Sequence, residues 1–314
     1  MSGLIPADLN PVLRFCRENG CSFLEDEPLS GHTSFHIGGP ARLFLQPDRT
    51  DTLTGLIGLL GREKLPWVVL GNGSNILAGD EGFSGVVVHI GAEFSGICLE
   101  EEGQIRCRAG TSLAALSRFA AGHSLTGLEF SCGIPGSVGG AVYMNAGAYG
   151  GEISQRLVSV TQLTVPTEGE PFLEELPAGE LELGYRHSRY QSPDCRDIIL
   201  EALFCLEPGE REVSLAQMEH LLKSRRDKQP LEYPSAGSAF KRPEGSYASL
   251  LIDQCGLKGL TVGGAQISEK HAGFIVNRGG ATCADVLELI GQVQQRVLQE
   301  TGFRLEPEVR LLKG

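Results

Sequence analysis

The sequence has few of the features that mark nucleic-acid-binding, membrane-spanning or secreted proteins. Its 27 lysines and arginines are outnumbered by 39 aspartates and glutamates, so the net charge is −12 and there is no basic excess for a polyanion. No apolar run approaches the roughly 18 residues that a membrane span needs. Residues 1–10 have neither the basic start nor the apolar core of a secretory leader. We therefore expect a cytoplasmic protein without nucleic-acid or membrane partners, although a local basic cluster could still bind a phosphorylated small molecule.

The nine cysteines form no recognisable pattern. Their number is odd and none belongs to a C-x-x-C pair, so we expect reduced thiols and predict neither a disulfide framework nor a zinc site. His36 and His271 have no carboxylate or Cys/His cluster at metal-ligand spacing beside them, and we interpret them as hydrogen-bonded structural residues. No metal site is predicted. Internal repeats and low-complexity tracts are also absent.

At 314 residues the chain is too long for one ordinary hydrophobic core. The composition shifts at Glu207-Pro-Gly-Glu210, which predicts one domain over residues 1–208 and another over 209–314. Between residues 35 and 206 the patterns predict many strands and two helices, an α+β arrangement without regular βαβ alternation. The strands are predicted at 41–45, 66–70, 85–90, 97–99, 104–109, 156–166, 181–190 (with a turn) and 198–206, and the segment 76–83 as a loop.

The helices are predicted from capping residues and apolar periodicity. Asp51, Thr111 and Ser214 are predicted to cap one helix each. A capping box of Thr282 and Asp285 predicts the longest helix, with Gly302 as its stop. A final strand is predicted over residues 303–311.

Two glycine-rich segments are the clearest signs of a binding site. The first glycine segment, Gly71-Asn-Gly-Ser-Asn75, directly follows a predicted buried strand, and such a turn exposes consecutive N–H groups that bind anions. Alone it could be an ordinary hairpin turn, since it is not a Gly-x-Gly-x-x-Gly dinucleotide fingerprint. The second glycine segment, residues 133–151, has seven glycines among nineteen uncharged residues, and many of the others are apolar. A flexible linker would instead combine glycine with serine and other polar residues. Together the segments predict a site for a phosphate or a flat cofactor.

The polar candidates are individually ambiguous. Arg186 could be a surface arginine, Ser238 a turn residue and Glu308 part of a solvated strand face. The basic group Arg225, Arg226 and Lys228 could merely complement the dipole of a helix end.

In combination, the motifs resemble those of the UDP-N-acetylenolpyruvoylglucosamine reductase family, flavoproteins of bacterial peptidoglycan precursor synthesis. The resemblance covers nearly the whole chain. It rests on Thr33-Ser-Phe-His-Ile-Gly-Gly-Pro-Ala41, the first glycine segment, Gly133-Ile-Pro-Gly-Ser-Val-Gly-Gly-Ala141, Asn145-Ala-Gly-Ala-Tyr149, Gly184-Tyr-Arg-His-Ser188, Gly237-Ser-Ala-Phe-Lys241, Gly263-Gly-Ala-Gln-Ile-Ser268, Phe274-Ile-Val-Asn277 and Leu305-Glu-Pro-Glu-Val-Arg310. The short spacing between Arg186 and Ser238 resembles the shorter, second type of the family, which lacks a substrate-covering tyrosine loop.

The resemblance implies a two-part FAD-binding domain of the vanillyl-alcohol-oxidase type, with subdomains at about 1–84 and 85–208, and a C-terminal α/β substrate-binding domain. FAD is expected to be bound non-covalently. The implied cofactor contacts are Gly71, Asn72, Gly73, Ser74, Asn75, Gly133, Ile134, Pro135, Gly136, Ser137, Gly139, Gly140, Asn145, Gly147 and Ala148. The implied substrate contacts are Tyr185, Arg225, Lys228, Lys241 and Gln266.

The resemblance also implies the reaction, in which NADPH supplies a hydride that reaches UDP-GlcNAc-enolpyruvate through the flavin. Arg186 matches the arginine that stabilises charge on the carboxylate side, Glu308 the nearby carboxylate, and Ser238 the proton donor. One departure is Arg242, where the family usually has asparagine, so a substrate contact at this position is in doubt. Another is Ser249, where glycine is common. We expect a monomer.

Two other functions remain open at this point. One is a flavin-dependent oxidase on the same FAD scaffold, for which Arg186 and Glu308 would have no special role. The other is a flavin- or nucleotide-sugar-binding protein without catalytic activity. The presence of Arg186, Ser238 and Glu308 together argues against the second.

Overall fold

The structure is a computed structural model that describes residues 8–314. Residues 1–7, which belong to the segment without a leader pattern, lie outside the described residues. The α-helices are α1 (Asn10–Asn19), α2 (Thr50–Arg62), α3 (Leu113–Gly122), α4 (Val138–Tyr143), α5 (Arg211–Lys228), α6 (Ala248–Gln254) and α7 (Cys283–Thr301). The strands are β1 (Ser22–Pro28), β2 (Pro40–Gln46), β3 (Trp67–Leu70), β4 (Ile76–Ala78), β5 (Phe83–His89), β6 (Ile97–Leu99), β7 (Gln104–Arg108), β8 (Leu125–Thr126), β9 (Gly147–Ala148), β10 (Gly151–Glu152), β11 (Leu157–Thr164), β12 (Phe172–Pro177), β13 (Ile198–Cys205), β14 (Glu207–Pro208), β15 (Thr261–Val262), β16 (Ala265–Ile267), β17 (Ile275–Asn277) and β18 (Arg310–Leu312).

The chain packs into two compact units that differ from a division at residue 208. Of the described residues, the first unit comprises 8–27, 42–71 and 84–218, and the second comprises 28–41, 72–83 and 219–314. Two early segments thus belong with the C-terminal part of the chain. Their backbone contacts explain why: β4 pairs in parallel with β18, and the buried Asn277 side chain donates to the Phe35 carbonyl at 3.1 Å.

The first unit is built on two sheets. One has the strand order β1-β2-β5-β3, with β3 and β5 parallel, and the other has the order β12-β11-β13-β7-β6. The strands of the second sheet are antiparallel throughout. Apolar faces of α1, α2, α3 and α4 pack with these strands into one core that includes Val12, Leu56, Leu116, Val142 and Phe204.

The second unit has its own core around α6 and α7 and the antiparallel sheet β15-β16-β17. The predicted capping box of α7 is confirmed: Thr282 Oγ1 accepts from the Asp285 amide, and the Asp285 carboxylate accepts from the Thr282 amide, each at 3.0 Å. Gly302 ends the helix in the left-handed conformation, as predicted. The Asp80 carboxylate accepts from the first two amides of the helix, that of Cys283 at 2.7 Å and that of Ala284 at 2.9 Å.

Several predicted elements are wrong in type or extent. The segment 76–83 contains β4, whose pairing depends on β18, a partner more than two hundred residues away in the sequence. The predicted final strand 303–311 is reduced to β18, because the preceding residues make only the isolated bridge Phe240–Pro307. Residues 181–190 form a turn closed by the Gly184–His187 bridge, not a strand.

Three predicted helix caps are wrong. Ser112, not Thr111, caps α3 by accepting from the Ala115 amide at 3.2 Å, and Arg49 precedes α2, so that Asp51 lies in its first turn. Ser214 lies inside α5, where its hydroxyl donates to Glu129 instead of capping the helix. In each case another side chain or a longer helix takes the terminal position.

The predicted hairpin of β6 and β7 and the strands β11 and β13 are confirmed, with ends shifted by one or two residues. All nine cysteines, which lie between residues 16 and 283, are free thiols. Among residues 8–314 we find no helix with the length and apolar character of a membrane span. Within the same range, no group of three His, Cys, Asp or Glu side chains could hold a metal ion.

Replacing Asp80 with alanine should destabilise the protein. The substitution leaves the first two amides of α7 without their acceptors, and loss of such a cap costs about 1–2 kcal/mol. We expect a lower urea midpoint by circular dichroism. Glu81→Ala is the matched control, since Glu81 is an exposed neighbouring carboxylate. Equal midpoints for the two variants would contradict this role of Asp80.

Candidate active site

The first glycine segment begins where β3 ends. A Cβ atom at Gly71 would lie 2.8 Å from the Ser137 Oγ, so a side chain here would require the serine hydroxyl to move. Gly73 has φ +60°, and a Cβ there would overlap the His32 carbonyl. Gly73 is therefore required by the backbone path, whereas Gly71 is restricted by a neighbouring side chain. Asn72 is exposed, whereas Ser74 and Asn75 are half-buried.

The second glycine segment contains the short helix α4. The buried Ser137 caps this helix by accepting from the Gly140 amide at 3.4 Å, and the Gly136 carbonyl accepts from the Leu113 amide at 3.1 Å. Gly140 is exposed, Gly133 and Gly136 are half-buried, and Pro135 is exposed at the turn. Ile134 packs against the core of the first unit.

Some glycines of this segment are explained by packing within the protein. The Gly139 amide donates to the Ala109 carbonyl at 2.8 Å, and a Cβ at Gly139 would lie 2.9 Å from the Ala109 methyl group. A Cβ at Gly147 would lie 2.6 Å from the Gly151 carbonyl oxygen, where β9 pairs with β10 through Ala148. Close backbone packing thus accounts for Gly139 and Gly147.

The remaining surface suits a flavin cofactor. Gly71 approaches Ser137 at the start of α4, so the end of β3 and the start of this helix present a surface of backbone without bulky side chains. The Val138 and Gly139 amides at the start of α4 donate to the Thr111 and Ala109 carbonyls, each at 2.8 Å, so a phosphate would meet the backbone of the first glycine segment. A Gly-x-Gly turn at a strand end binds anions through its consecutive amides. The residues present therefore fit the pyrophosphate of FAD.

Arg186 is held on the second glycine segment. Its Nη2 donates to the Gly147 carbonyl at 3.0 Å, and its guanidinium carbon lies 5.2 Å from the centre of the Tyr185 ring. The turn that carries it is fixed by Asn145, whose side-chain amide donates to the Gly184 carbonyl at 2.9 Å. The Gln191 side chain donates to the Arg186 carbonyl at 3.0 Å.

Backbone strain coincides with these motifs. Asn145, Tyr149 and Arg186 adopt φ values of +40°, +54° and +54°, a conformation that L residues other than glycine rarely take. Such residues persist only where surrounding contacts stabilise them, and they concentrate at functional sites. The two hydrogen bonds to the 184–187 turn supply such contacts for Arg186.

In the second unit, the structure brings Ser238 and Glu308 onto adjoining extended segments. The Glu308 amide donates to the Ala239 carbonyl at 2.8 Å, and Ser238 forms an isolated antiparallel bridge with Phe274. Ser238 is exposed and Glu308 is half-buried. The two predicted catalytic residues of this unit are thus close along paired backbone, although 70 positions separate them in the sequence.

One of the predicted substrate contacts, Tyr185, lies in the first unit, and the other four lie in the second. Lys241 forms an ion pair with Glu306 at 3.4 Å, and the Gln266 amide donates to the Thr261 hydroxyl at 3.0 Å, so both side chains already have partners. Arg225 and Lys228 lie in the last turn of α5, and Tyr185 is 51% exposed.

Arg242, the departure from the family pattern, stacks over an aromatic ring. Its guanidinium carbon lies 4.1 Å from the centre of the Tyr247 ring. His271 is hydrogen-bonded, as predicted: its Nδ1 accepts from the Gly273 amide at 3.2 Å, and burial lowers its pKa. An accepting Nδ1 and a lowered pKa both indicate a neutral ring.

Sequence reasoning missed two residues that organise these segments. Ser34 receives no role from its motif, yet its amide donates to the Gly73 carbonyl at 3.2 Å and its hydroxyl to the Ser235 carbonyl at 2.7 Å. It therefore joins the first glycine segment to the segment that leads to Ser238. In the sequence, the signal for Ser34 was its place in the Thr33–Ala41 motif.

Glu129 is the second missed residue. It is 6% exposed and accepts from the Thr126 hydroxyl at 2.8 Å, the Gly127 amide at 2.8 Å and the Ser214 hydroxyl at 2.5 Å. Burial alone would raise the pKa of this carboxyl, but the hydrogen bonds outweigh it and hold the pKa below the ordinary value. Its position two residues after Gly127 gave no sign of these bonds.

Comparisons with known proteins agree over most of the chain. A family model described as an FAD binding domain matches residues 41–169, and one described as UDP-N-acetylenolpyruvoylglucosamine reductase, C-terminal domain, matches residues 229–312. The UDP-N-acetylenolpyruvoylglucosamine reductase of Agathobacter rectalis is 49% identical over 92% of this chain and 93% of the relative. That of Heliobacterium modesticaldum is 45% identical, covering 92% of this chain and 90% of the relative.

A solved structure extends this similarity to the fold. The UDP-N-acetylenolpyruvylglucosamine reductase of Thermus caldophilus is similar with a TM-score of 0.76 and 36% sequence identity, covering 93% of this chain and 98% of the other.

Replacing Glu129 with glutamine should destabilise the protein at neutral pH by about 1–2 kcal/mol, because an amide cannot accept hydrogen bonds at both ends. The folded pKa is depressed, so the stabilisation is present above the unfolded value of about 4.3 and is lost as pH falls through the folded pKa. Urea unfolding from pH 7 to pH 3 measures this. The exposed Glu210→Gln variant is the control, and a difference from wild type that does not shrink on acidification would contradict the assignment.

Proposed function

Because the chain belongs to the UDP-N-acetylenolpyruvoylglucosamine reductase family, we propose that it reduces UDP-N-acetylglucosamine enolpyruvate to UDP-N-acetylmuramate with NADPH. The chain is an FAD-dependent oxidoreductase, and the predicted α+β class with an FAD-binding domain and a C-terminal domain is confirmed. Its product would serve peptidoglycan precursor synthesis. The observation that carries the proposal is the Glu308–Ala239 backbone bond, which sets the proposed carboxylate beside the proposed proton donor.

The two glycine segments would hold FAD. The backbone of the first glycine segment, which begins at Gly71 beside Ser137, would receive the pyrophosphate, since a Gly-x-Gly turn at a strand end presents consecutive amides to an anion. When bound, FAD would supply the hydride chemistry that links NADPH to the methylene carbon of the enolpyruvyl group.

Arg186 would bind the substrate carboxylate. An enol ether resists hydride addition, so negative charge that builds on the carboxylate side must be stabilised. A guanidinium can pair with both carboxylate oxygens at once. The bond from Nη2 to Gly147 supports this role, because it orients the arginine over the second glycine segment before substrate binds.

Ser238 would donate the proton that completes the reduction. Hydride addition at the methylene carbon leaves the adjacent carbon with the electron pair of the former double bond, and the serine hydroxyl supplies its proton. A serine is a weak acid, but it can protonate a strongly basic carbon when held in contact. Glu308, on the adjoining segment, would act as the neutral acid, whose O–H can donate to the developing negative charge on the substrate and then return a proton to the serine.

The nucleotide end of the substrate requires cationic partners. Arg225 and Lys228 are the proposed contacts for its diphosphate, because both lie in the basic last turn of α5. Lys241, which pairs with Glu306, and Gln266, which donates to Thr261, are further candidates. At position 242 the arginine would present a cation where the family usually has the amide of asparagine. A guanidinium favours contact with phosphate over contact with a uracil or ribose edge.

A spectrophotometric assay tests the proposed function. The purified protein with FAD is mixed with NADPH and UDP-N-acetylglucosamine enolpyruvate, and absorbance is followed at the nicotinamide band. We expect NADPH loss that depends on the sugar nucleotide under anaerobic conditions. Consumption that depends instead on oxygen would identify the flavin-dependent oxidase, and no consumption would identify a binding protein.

Ser238→Ala should separate the two half-reactions. Reduction of the flavin by NADPH should stay close to wild type, whereas its reoxidation by the sugar nucleotide should slow by about a hundredfold or more, the usual contribution of a positioned acid. Stopped-flow flavin absorbance measures both. The serine-to-alanine change at the half-buried Ser246, in the same unit, is the control. An equal loss in both half-reactions would overturn the role of Ser238.

A further inference from the structure

The asparagine that ends the first glycine segment is engaged with the segment that carries Glu308. The Asn75 side-chain Nδ2 donates to the Glu308 carbonyl at 3.1 Å. The Asn75 carbonyl accepts from the Arg310 amide at 2.9 Å. Both bonds lie within the second compact unit. One reaches Glu308 itself, and the other reaches Arg310, two residues further along the chain.

These bonds complete the hydrogen bonding of the Glu308 peptide groups. The Glu308 amide donates to Ala239, next to Ser238, while its carbonyl accepts from Asn75. The Asn75 side chain thus sets the position of Glu308, the residue that the proposed mechanism places beside the proton donor Ser238. The peptide of Glu308 is held from two sides, by the first glycine segment and by the Ser238 segment.

The second glycine segment repeats this arrangement independently in the first unit. The buried Asn145 donates through Nδ2 to the Gly184 carbonyl at 2.9 Å and accepts at Oδ1 from the Ser154 amide at 2.9 Å. Gly184 begins the turn that carries Arg186, which adopts φ +54°. Both ends of the Asn145 amide are therefore committed to the protein.

We propose that Asn75 and Asn145 are positioning residues, which hold Glu308 and Arg186 through the backbone of the segments that carry them. Their side chains are then not primarily cofactor contacts, although the family resemblance implied that role. The inference rests on the proposed function, because it requires Glu308 and Arg186 to act on the substrate. It adds a physical connection: each segment expected to hold the flavin also sets the position of one residue that acts on the substrate.

Alanine substitutions distinguish positioning from cofactor binding. For Asn75→Ala and Asn145→Ala we expect flavin retention and flavin reduction by NADPH close to wild type. Reoxidation by UDP-N-acetylglucosamine enolpyruvate should slow by about tenfold to a hundredfold, the usual effect of misplacing a catalytic group by about 1 Å. Flavin absorbance after gel filtration measures retention, and stopped-flow absorbance measures the two half-reactions.

Asn19→Ala is the matched control. Asn19 also donates its side-chain amide to a backbone carbonyl, that of Phe15 at 2.9 Å, but it lies at the end of α1. Both half-reactions should remain as in wild type. Asn75→Ser and Asn145→Asp provide second variants that remove the same donor with a smaller change, and they are judged by the same criteria if an alanine variant does not fold.

The outcomes separate this inference from the proposed function. If wild-type flavin is not reoxidised by the sugar nucleotide, the proposed function fails. If wild type turns over but the Asn75 and Asn145 variants lose flavin, or slow both half-reactions equally, the side chains act on the cofactor or on stability and the inference is overturned. Wild-type rates in both half-reactions would overturn it as well.

Discussion

The parallel pairing of β4 with β18 is the constraint on which the second compact unit depends. It joins Ile76 to Arg310 and Ala78 to Leu312, and the Gly79 amide extends it by donating to the Leu312 carbonyl at 2.7 Å. The bonds of Asn75 and Asp80 lie immediately before and after β4. Without this pairing, the first glycine segment, Glu308 and the start of α7 would have no common support.

The sequence predicted best what is encoded locally. The capping box of α7 and its glycine stop are short-range chemistry, as is the hairpin of β6 and β7. It failed where the partner is distant: three residues cannot reveal β4 without β18, and Ser214 shows no sign of its bond to Glu129. The candidate site follows the same rule, because its residue types came from motifs, whereas the bonds that hold them required the fold.

The glycine segments show that one pattern can have two physical causes. Gly139 and Gly147 are small because neighbouring backbone and methyl groups leave no space, a reason internal to the protein. The turn that begins at Gly71, at the end of β3, leaves room for a phosphate to approach peptide amides. A high density of glycine therefore identifies a region where other atoms come close to the backbone. The structure is needed to tell which glycines serve packing and which serve binding.

The discontinuous composition of the second unit has a consequence for folding during synthesis. Chains emerge from the ribosome N-terminus first, and domains generally fold as units. The first unit is complete once residue 218 has emerged, but residues 28–41 and 72–83 must wait for their partners in residues 219–314, of which strand β18 lies almost at the end of the chain. Nascent chains therefore carry these two segments without their C-terminal partners for most of translation, and Leu77 lacks the core in which it is finally buried.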